Sequence, residues 1–409
     1  MHRDFHRRPG RHFLQIPGPT NVPARILQAI EAPTIDHRGP EFGELARRVF
    51  RDIKNVFQTT EPVVIFPSSG TGAWEAALAN TLSPGDTVLM CRTGWFATLW
   101  KEMAERLNLR PIFLDGDWRR GADPAAIAET LAQDRAHRIK AVCVVHNETS
   151  TGCTSRIDEI RAAIDQTGHP ALFMVDTISS LASMDYRHDA WGVDVTVGGS
   201  QKGLMLPPGL GFNAIGPKAL AASQKATLPR SYFDWRPMLA ANAEGFFPCT
   251  PATNLLFGLA EALTMLQEEG LPAVFARHAR LAEAARSAVR AWGLEIQCAE
   301  PRHYSNSLTA VRLPEGHSAD RLRALILERL NMSLGNGLGI LKDRVFRIGH
   351  LGDFNELELI GTLGGVELGL RMAGVPHREG GVQAAIESLA QDAAGWQLAA
   401  SIQETKAAG

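Results

Sequence analysis

Short apolar runs alternate with longer amphipathic segments between about residues 60 and 215. The apolar runs are rich in Val and Ile and end at Gly, Pro or polar turn residues, which is typical of buried strands: PVVIFP, DTVLMC, AVCVVHN, ALFMVD and DVTVGG. The segments between them carry apolar residues at helical spacing: GAWEAALANTL, TLWKEMAERLNL, DPAAIAETLAQD and SRIDEIRAAIDQTG. Alternating strands and helices predict a mostly parallel sheet that is covered by helices on both faces.

The pattern changes near residue 270, after a loop and a long predicted helix in FFPCTPATNLLFGLAEALTMLQEEG. A charged, alanine-rich helix follows, and SLTAVRL and RVFRIG resemble strands that flank the helix SADRLRALILERLN. This arrangement predicts a smaller α+β unit. We therefore divide the chain into an N-terminal arm (1–20), a large domain (21–270), a small C-terminal domain (271–375), and a C-terminal helix and tail (376–409).

Composition narrows the class of protein. The chain has 409 residues, and two domains are expected because single cores rarely grow beyond about 250–300 residues. A formal charge of −2 argues against a nucleic-acid partner, and without a run of ~18 apolar residues no membrane span is expected. The five scattered cysteines form no C-x-x-C pair, so we expect neither a metal site nor a disulfide framework. The sequence suggests a cytoplasmic protein that acts on small molecules.

One lysine and one aspartate follow buried strands. Lys202 comes just after DVTVGG and Asp176 closes ALFMVD, so both are expected at the carboxyl edge of the sheet, where such folds bind ligands. The stretch SQKGLMLPPGLGF around Lys202 contains no acidic residue, which is unusual for a solvated lysine. An ordinary ion pair explains an amine and a carboxylate at one edge equally well.

A glycine-rich segment lies between a predicted strand and a predicted helix in PSSGTGAWEAALANTL. The unpaired N–H groups and the dipole of a helix start attract anions, so this segment predicts a phosphate site. Its spacing lacks the third small residue of a dinucleotide fingerprint and the Gly-Lys-Ser/Thr of a P-loop. A simple capped helix start is the alternative explanation.

A phosphate site, an aspartate and a partnerless lysine together match the needs of pyridoxal 5'-phosphate. The phosphate anchors this cofactor, a carboxylate keeps its pyridine nitrogen protonated, and a lysine forms an imine with its aldehyde. Such a lysine must lose its proton readily, which burial and nearby positive charge favour.

The order of six motifs resembles the class V aminotransferases: PGPTN (17–21), SGTG (69–72), HNETSTG (146–152), VDTISS (175–180), GSQKG (199–203) and FRIGH (346–350). The resemblance extends from about residue 10 to 375. It implies fold type I of the pyridoxal phosphate enzymes, an α/β fold with a mostly parallel seven-stranded sheet in the large domain and a smaller C-terminal α+β domain. HNETSTG, SQKGLMLP and YFDW (232–235) are similar to the branch of the family that uses serine and glyoxylate.

The resemblance also implies cofactor contacts. Lys202 would form the imine and act as general acid and base, and Asp176 would pair with the pyridine nitrogen. Further cofactor contacts are implied for Ser69, Gly70, Thr71, Thr149 and Gln201. Thr250 would reach the phosphate from a second subunit. The family stacks an aromatic side chain on the cofactor, for which we prefer Phe96 over its neighbour Trp95, although core packing also explains both.

Substrate binding is predicted at Arg347, Ser180 and Gly18. The planar guanidinium of Arg347 suits the α-carboxylate of an amino acid, and the family gives this arginine that role. A buried structural ion pair is the alternative for Arg347.

The resemblance implies a transamination in which L-serine and glyoxylate become hydroxypyruvate and glycine with ping-pong kinetics. It also implies a homodimer with shared active sites, or a tetramer. Alternatives are a transaminase that uses alanine or pyridoxamine and, outside catalysis, a silent metabolite-binding protein. A pyridoxal phosphate lyase is less favoured, because no cysteine lies in an obvious mobile, glycine-rich loop.

Overall fold

The computed structural model describes residues 9–391. The first eight residues of the predicted arm and the predicted tail after residue 391 lie outside the described residues. The strands are β1 (Phe13–Gln15), β2 (Val63–Pro67), β3 (Thr87–Cys91), β4 (Arg110–Leu114), β5 (Ile139–Val145), β6 (Asn147–Glu148), β7 (Cys153–Thr154), β8 (Leu172–Asp176), β9 (Val195–Gly199), β10 (Leu210–Ile215), β11 (Glu295–Ile296), β12 (Leu308–Arg312), β13 (Met332–Asn336) and β14 (Val345–Gly349).

Helices occupy much of the remaining chain. They are α1 (Ala24–Ile30), α2 (Pro40–Phe57), α3 (Gly70–Thr81), α4 (Trp95–Arg106), α5 (Pro124–Gln133), α6 (Ile157–Thr167), α7 (Pro217–Ser223), α8 (Trp235–Ala243), α9 (Thr253–Glu269), α10 (Leu271–Ala291), α11 (Ala319–Leu330), α12 (Glu356–Met372) and α13 (Gly381–Gln391). Two short 3₁₀ helices span Pro301–His303 and Gly339–Leu341.

The larger sheet has seven strands in the order β2-β10-β9-β8-β5-β3-β4. Strand β10 runs antiparallel to both neighbours, and the other pairs, from β9 to β4, are parallel. This topology confirms the predicted mostly parallel seven-stranded sheet. The five apolar runs of the sequence correspond to β2, β3, β5, β8 and β9.

Two apolar cores cover the faces of this sheet. One contains Phe57, Phe173 and Phe212, together with residues of α2 and α9. The other is built around α3 and contains Trp74 and Trp100, whose rings stack with centroids 5.8 Å apart. Helices on both faces bury the central strands. The carboxyl edge of the sheet is not covered in this way, so polar side chains can lie there.

The smaller sheet has five strands in the order β1-β13-β14-β12-β11. Strands β12 and β14 pair antiparallel, and α11 lies between them in the sequence, as predicted. Strand β1 pairs in parallel with β13, so the segment after residue 12 belongs to this sheet. The buried side chains of α10, α11 and α12 form its core.

No helix within residues 9–391 is long and apolar enough to cross a bilayer. In the same part of the chain, no group of three or more His, Cys, Asp or Glu side chains is placed to hold a metal ion. All five cysteines are free thiols.

Candidate active site

A cavity of about 220 Å³ lies at the carboxyl edge of β8 and β9, beside the start of α3. It brings together eight residues predicted from the sequence: Ser69, Gly70, Thr71, Phe96, Thr149, Asp176, Gln201 and Lys202. A larger cavity of about 490 Å³ lies beside α11, but its charged residues Arg321 and Glu328 are exposed, as in a surface groove. The smaller cavity is therefore the candidate active site.

Lys202 lies just beyond β9 and is only 8% exposed. Its Nζ donates a hydrogen bond to the carbonyl oxygen of Pro17. Gly18 leaves room for this side chain, because a Cβ at Gly18 would lie 2.6 Å from Nζ. Burial and the charge of Arg347 lower the pKa of Lys202 to about 7, and the charge of Asp176 opposes this shift. A large fraction of the amine is therefore unprotonated near neutral pH and available as a nucleophile.

Asp176 is the last residue of β8 and is held by two hydrogen bonds. Its Oδ1 accepts from the backbone N of Ile178 at 2.7 Å, and its Oδ2 accepts from the indole Nε1 of Trp74 at 3.0 Å. Burial raises the pKa of Asp176 to about 7, and both hydrogen bonds oppose this shift. The carboxyl group is thus fixed in orientation at the cavity, where a cationic ring nitrogen would favour its ionised form.

The start of α3 has the features of an anion site. Ser69 precedes the helix in an extended conformation, and its side chain makes no capping hydrogen bond. The first N–H groups of an α-helix have no partner within the helix. Gln201 lines the same cavity, and the NH₂ group of its side-chain amide can donate hydrogen bonds to an anion. These groups suit a phosphate.

The structure separates the two candidate aromatic residues on α4. Phe96 lines the cavity. Trp95 instead packs against the cluster that contains Trp118 and Leu341. Of the two neighbours, only Phe96 is in a position to cover a ring in the cavity.

Arg347 lies in β14 and is only 6% exposed. Its Nη1 donates to the carbonyl oxygen of Thr149 at 2.7 Å, and its Nε donates to the carbonyl oxygen of Asn336 at 2.8 Å. Burial lowers the pKa of Arg347 to about 10, which keeps the side chain cationic at neutral pH. Arg347 is not part of the cavity wall, but its bond to Thr149 holds it beside that wall.

Besides Gly18 and Arg347, two predicted residues, Ser180 and Thr250, do not line the cavity. Ser180 is fully buried, and its hydroxyl donates to the carbonyl oxygen of Thr177 at 3.3 Å. Thr250 is exposed at the protein surface. The cofactor role of Thr250 and the substrate role of Ser180 stay predictions.

The comparisons with known proteins agree with this geometry. Residues 12–340 match the family model of aminotransferase class V. The serine–glyoxylate aminotransferase of Methylorubrum extorquens is 48% identical over 388 residues, which cover 93% of this chain and 96% of that protein. The chain belongs to the class V aminotransferases.

Two further proteins that are similar to this chain differ in the substrates that their names state. The L-aspartate–glyoxylate aminotransferase of Paracoccus denitrificans is 44% identical over 94% of this chain and 98% of its own length. The crystal structure of pyridoxamine–pyruvate aminotransferase from Mesorhizobium loti superposes with a TM-score of 0.88 at 28% identity, covering 95% of this chain and 99% of that one. The fold type I architecture is therefore confirmed.

As a class V aminotransferase, the protein uses pyridoxal 5'-phosphate. The cavity fits this cofactor in three respects: an uncapped helix start at α3 beside the Gln201 amide, a carboxylate at Asp176, and a buried amine at Lys202. Each of these groups matches one part of the cofactor.

Four further residues line the cavity without having been predicted individually: Trp74, Asn147, Ile178 and Ser179. Asn147 and Thr149 both donate to Oγ of Ser179, at 2.8 and 2.7 Å. Asn147, Ile178 and Ser179 belong to two motifs on which the family resemblance rests, so the motifs contained the signal. Trp74 is four residues after Gly70, which places both on one face of α3.

Proposed function

We propose that this protein transfers the amino group of L-serine to glyoxylate and forms hydroxypyruvate and glycine. The observation that carries the proposal is the 48% identity, over nearly the whole chain, to a serine–glyoxylate aminotransferase. The cavity of about 220 Å³ and the adjacent Arg347 support a small substrate with one carboxylate.

The cofactor is proposed to lie between the strand ends and α3. Its phosphate would be held by Ser69, Gly70, Thr71 and Gln201. Thr250 of a second subunit would also reach it. Phe96 would cover one face of the ring, with Thr149 beside the ring, and Asp176 would pair with the ring nitrogen. Bound pyridoxal phosphate supplies an aldehyde that accepts amino groups and a ring that withdraws electrons.

Lys202 is the proposed proton carrier. With the donor amino acid bound, Nζ of Lys202 would be free to take the proton from Cα of the donor. The lowered pKa lets Nζ hold that proton and release it again near neutral pH. Gly18 would leave the space in which this side chain moves, because any Cβ there would contact Lys202.

Arg347 is proposed to bind the α-carboxylate of the donor and then that of the acceptor, and Ser180 is assigned with it to the substrate side. Since both substrates use one arginine and one cavity, they bind in turn, and ping-pong kinetics follow. The orientation of Arg347 is fixed by the carbonyl oxygens of Thr149 and Asn336.

Assembly and location complete the proposal. We propose a homodimer with shared active sites. Ser69 and Thr71 are exposed at the mouth of the cavity, and Thr250 is exposed at the surface, so each group is accessible to a second subunit. A large domain and a small domain would meet near Gly270, which separates α9 from α10. A role in glyoxylate metabolism follows from the proposed reaction, and we propose a cytoplasmic location because all five cysteines are free.

A second donor deserves a test, because a relative named for L-aspartate is 44% identical. Aspartate carries a second carboxylate, which a second cationic group would stabilise most strongly. Lys202 is the only basic residue among those that line the cavity, and it is proposed to act on the α-carbon. This composition favours serine over aspartate.

A donor screen tests the proposal. The holoenzyme is assayed with L-serine, L-alanine, L-aspartate and pyridoxamine against glyoxylate and pyruvate, and the products are identified. We expect the highest kcat/KM for L-serine with glyoxylate, and no turnover by Lys202→Ala. A higher kcat/KM for alanine, aspartate or pyridoxamine would overturn the substrate assignment and leave the cofactor assignment intact.

A further inference from the structure

Glu148 is a fully buried carboxylate outside the cavity wall. Its oxygens accept four hydrogen bonds: from the backbone N of Phe96 (3.3 Å), Ala97 (3.1 Å) and Ser150 (3.0 Å), and from Ser150 Oγ (2.6 Å). Within residues 9–391, no Lys, Arg or His nitrogen lies within 4.0 Å of these oxygens. Burial raises the pKa of Glu148 and these four hydrogen bonds oppose that shift, so the ionised form is stabilised by hydrogen-bond donors rather than by an ion pair.

Two of these donors belong to the start of α4. Phe96 and Ala97 are its second and third residues, whose N–H groups have no partner within the helix. Ser150 Oγ accepts from the N–H of Trp95, the first residue of α4, at 2.9 Å. Glu148 and Ser150 thus cap α4 from a distant part of the chain, and a negative charge is favoured at this end of a helix.

The same carboxylate also holds the other side of the cavity. Glu148 and Ser150 flank Thr149, which lines the cavity through its side chain and accepts the Arg347 Nη1 bond through its carbonyl oxygen. The bonds from Ser150 to Glu148 close a tight turn around Thr149. One carboxylate therefore connects Phe96 and Thr149, which line the cavity, with Arg347, which is bonded to Thr149.

We propose that Glu148 is a positioning residue, whose carboxylate fixes Phe96 and Thr149 around the cofactor and, through the Thr149 carbonyl, sets the place of Arg347. The inference rests on the proposed roles of the cavity residues in binding cofactor and substrate. Glu148 itself acts through these three residues.

The replacement Glu148→Gln tests the carboxylate with little change in volume. An amide offers one acceptor oxygen, and its NH₂ group would face backbone N–H donors. At least one N–H at the start of α4 would lose its partner, which displaces Phe96 or frays the helix start.

Asp194→Asn is a matched control. Asp194 is also a buried carboxylate that accepts a backbone N–H, from Phe173 at 2.7 Å. It precedes β9 at the end of that strand opposite Lys202. Its loss affects the packing of the large sheet but not the walls of the cavity.

The experiment compares apoprotein and holoenzyme for both variants. Equilibrium titration of the apoprotein gives its affinity for pyridoxal phosphate, the donor-induced absorbance change of the holoenzyme gives the donor dissociation constant, and melting curves report stability. We expect Glu148→Gln to weaken cofactor and donor binding by about 10–100-fold each. Asp194→Asn is expected to lower the melting temperature and keep both constants within about twofold of the parent protein.

Wild-type affinity of Glu148→Gln for both ligands would overturn the inference. If Glu148→Gln does not fold, Ser150→Ala decides, because it removes one bond to Glu148 and one to Trp95; unchanged affinities in this variant would also overturn it. Weaker cofactor binding supports the inference whichever donor the parent protein prefers. A parent protein that binds no pyridoxal phosphate would overturn both this inference and the proposed function.

Discussion

Burial sets the chemistry of the two ionisable side chains at the centre of the cavity. Removal from water disfavours the charged form of both Lys202 and Asp176, so it moves their pKa values toward each other, to about 7 in each case. For the lysine, this shift supplies a neutral amine at physiological pH. For the aspartate, the charge depends on a partner, which the proposed ring nitrogen would provide.

The uptake of pyridoxal phosphate by the apoprotein is expected to depend on pH. Lys202 is protonated below its pKa and reactive above it, so the rate should rise through pH 7 and level off above pH 8. Stopped-flow absorbance between pH 5.5 and 9.5 measures this profile. A rate that rises only near the pKa of an ordinary lysine would contradict the account.

Two variants set the direction of this profile. Asp176→Asn removes a negative charge that raises the pKa of Lys202, so its profile should move to lower pH. Arg347→Gln removes a positive charge that lowers this pKa, so its profile should move to higher pH.

At the scale of elements, hydrophobic pattern predicted five of the seven strands of the larger sheet and missed β4 and the fully buried β10. Strand β4 is at the edge of the sheet, is only partly buried and contains Pro111, so it lacks a continuous apolar run. Strand β10 contains Gly211 and Asn213, which interrupt its apolar pattern. Gly211 is needed because a Cβ there would lie 2.6 Å from the Ser69 carbonyl oxygen.

The site was predictable where a strand end or motif marks it. Lys202 and Asp176 follow recognisable buried strands, so their common edge could be inferred from the parallel topology. Trp74 contacts Asp176, and Glu148 contacts Phe96. In each pair the two residues are far apart in the sequence. Such contacts depend on how helices pack on the sheet, which a single sequence does not specify.

The start of α3 is expected to bind inorganic phosphate in the apoprotein. Phosphate at about 10 mM should raise the melting temperature by about 2 °C through binding to the folded state, whereas chloride at equal ionic strength should not. Thr71→Ala should reduce this shift. Thr130→Ala on α5 is the control and should leave it unchanged, and an equal loss in both variants would contradict a phosphate site at α3.

At the scale of the whole molecule, the N-terminal segment connects the two sheets with the cavity. Strand β1 pairs with β13 in the smaller sheet. A few residues later, Pro17 and Gly18 contact Lys202, and the N–H of Thr20 donates to the carbonyl oxygen of Gln201 at 3.2 Å. The N-terminal segment thus links a strand of the smaller sheet directly to the side chain of the reactive amine.

The proposed homodimer has a measurable mass and a testable division of labour. Each chain is 44.4 kDa, so twice this mass, about 89 kDa, is expected by sedimentation equilibrium. If Thr250 serves the partner's cavity, a hybrid of Lys202→Ala and Thr250→Ala chains contains one site with both native residues. That hybrid should bind one cofactor per dimer with the affinity of the parent protein.

We expect Thr250→Ala to bind the cofactor about 3–10-fold more weakly than the parent protein. If the hybrid shows only this weakened affinity, Thr250 belongs to the site of its own chain. A 44 kDa species at micromolar concentration would contradict the dimer itself.

The central claim is that Lys202 alone carries the cofactor, and reductive trapping tests it most directly. The holoenzyme is treated with borohydride, digested and analysed by peptide mass spectrometry. The account predicts one pyridoxyl group, on the peptide that contains Lys202, and no label in Lys202→Ala. A label on another lysine of the native protein, or no label at all, would contradict it.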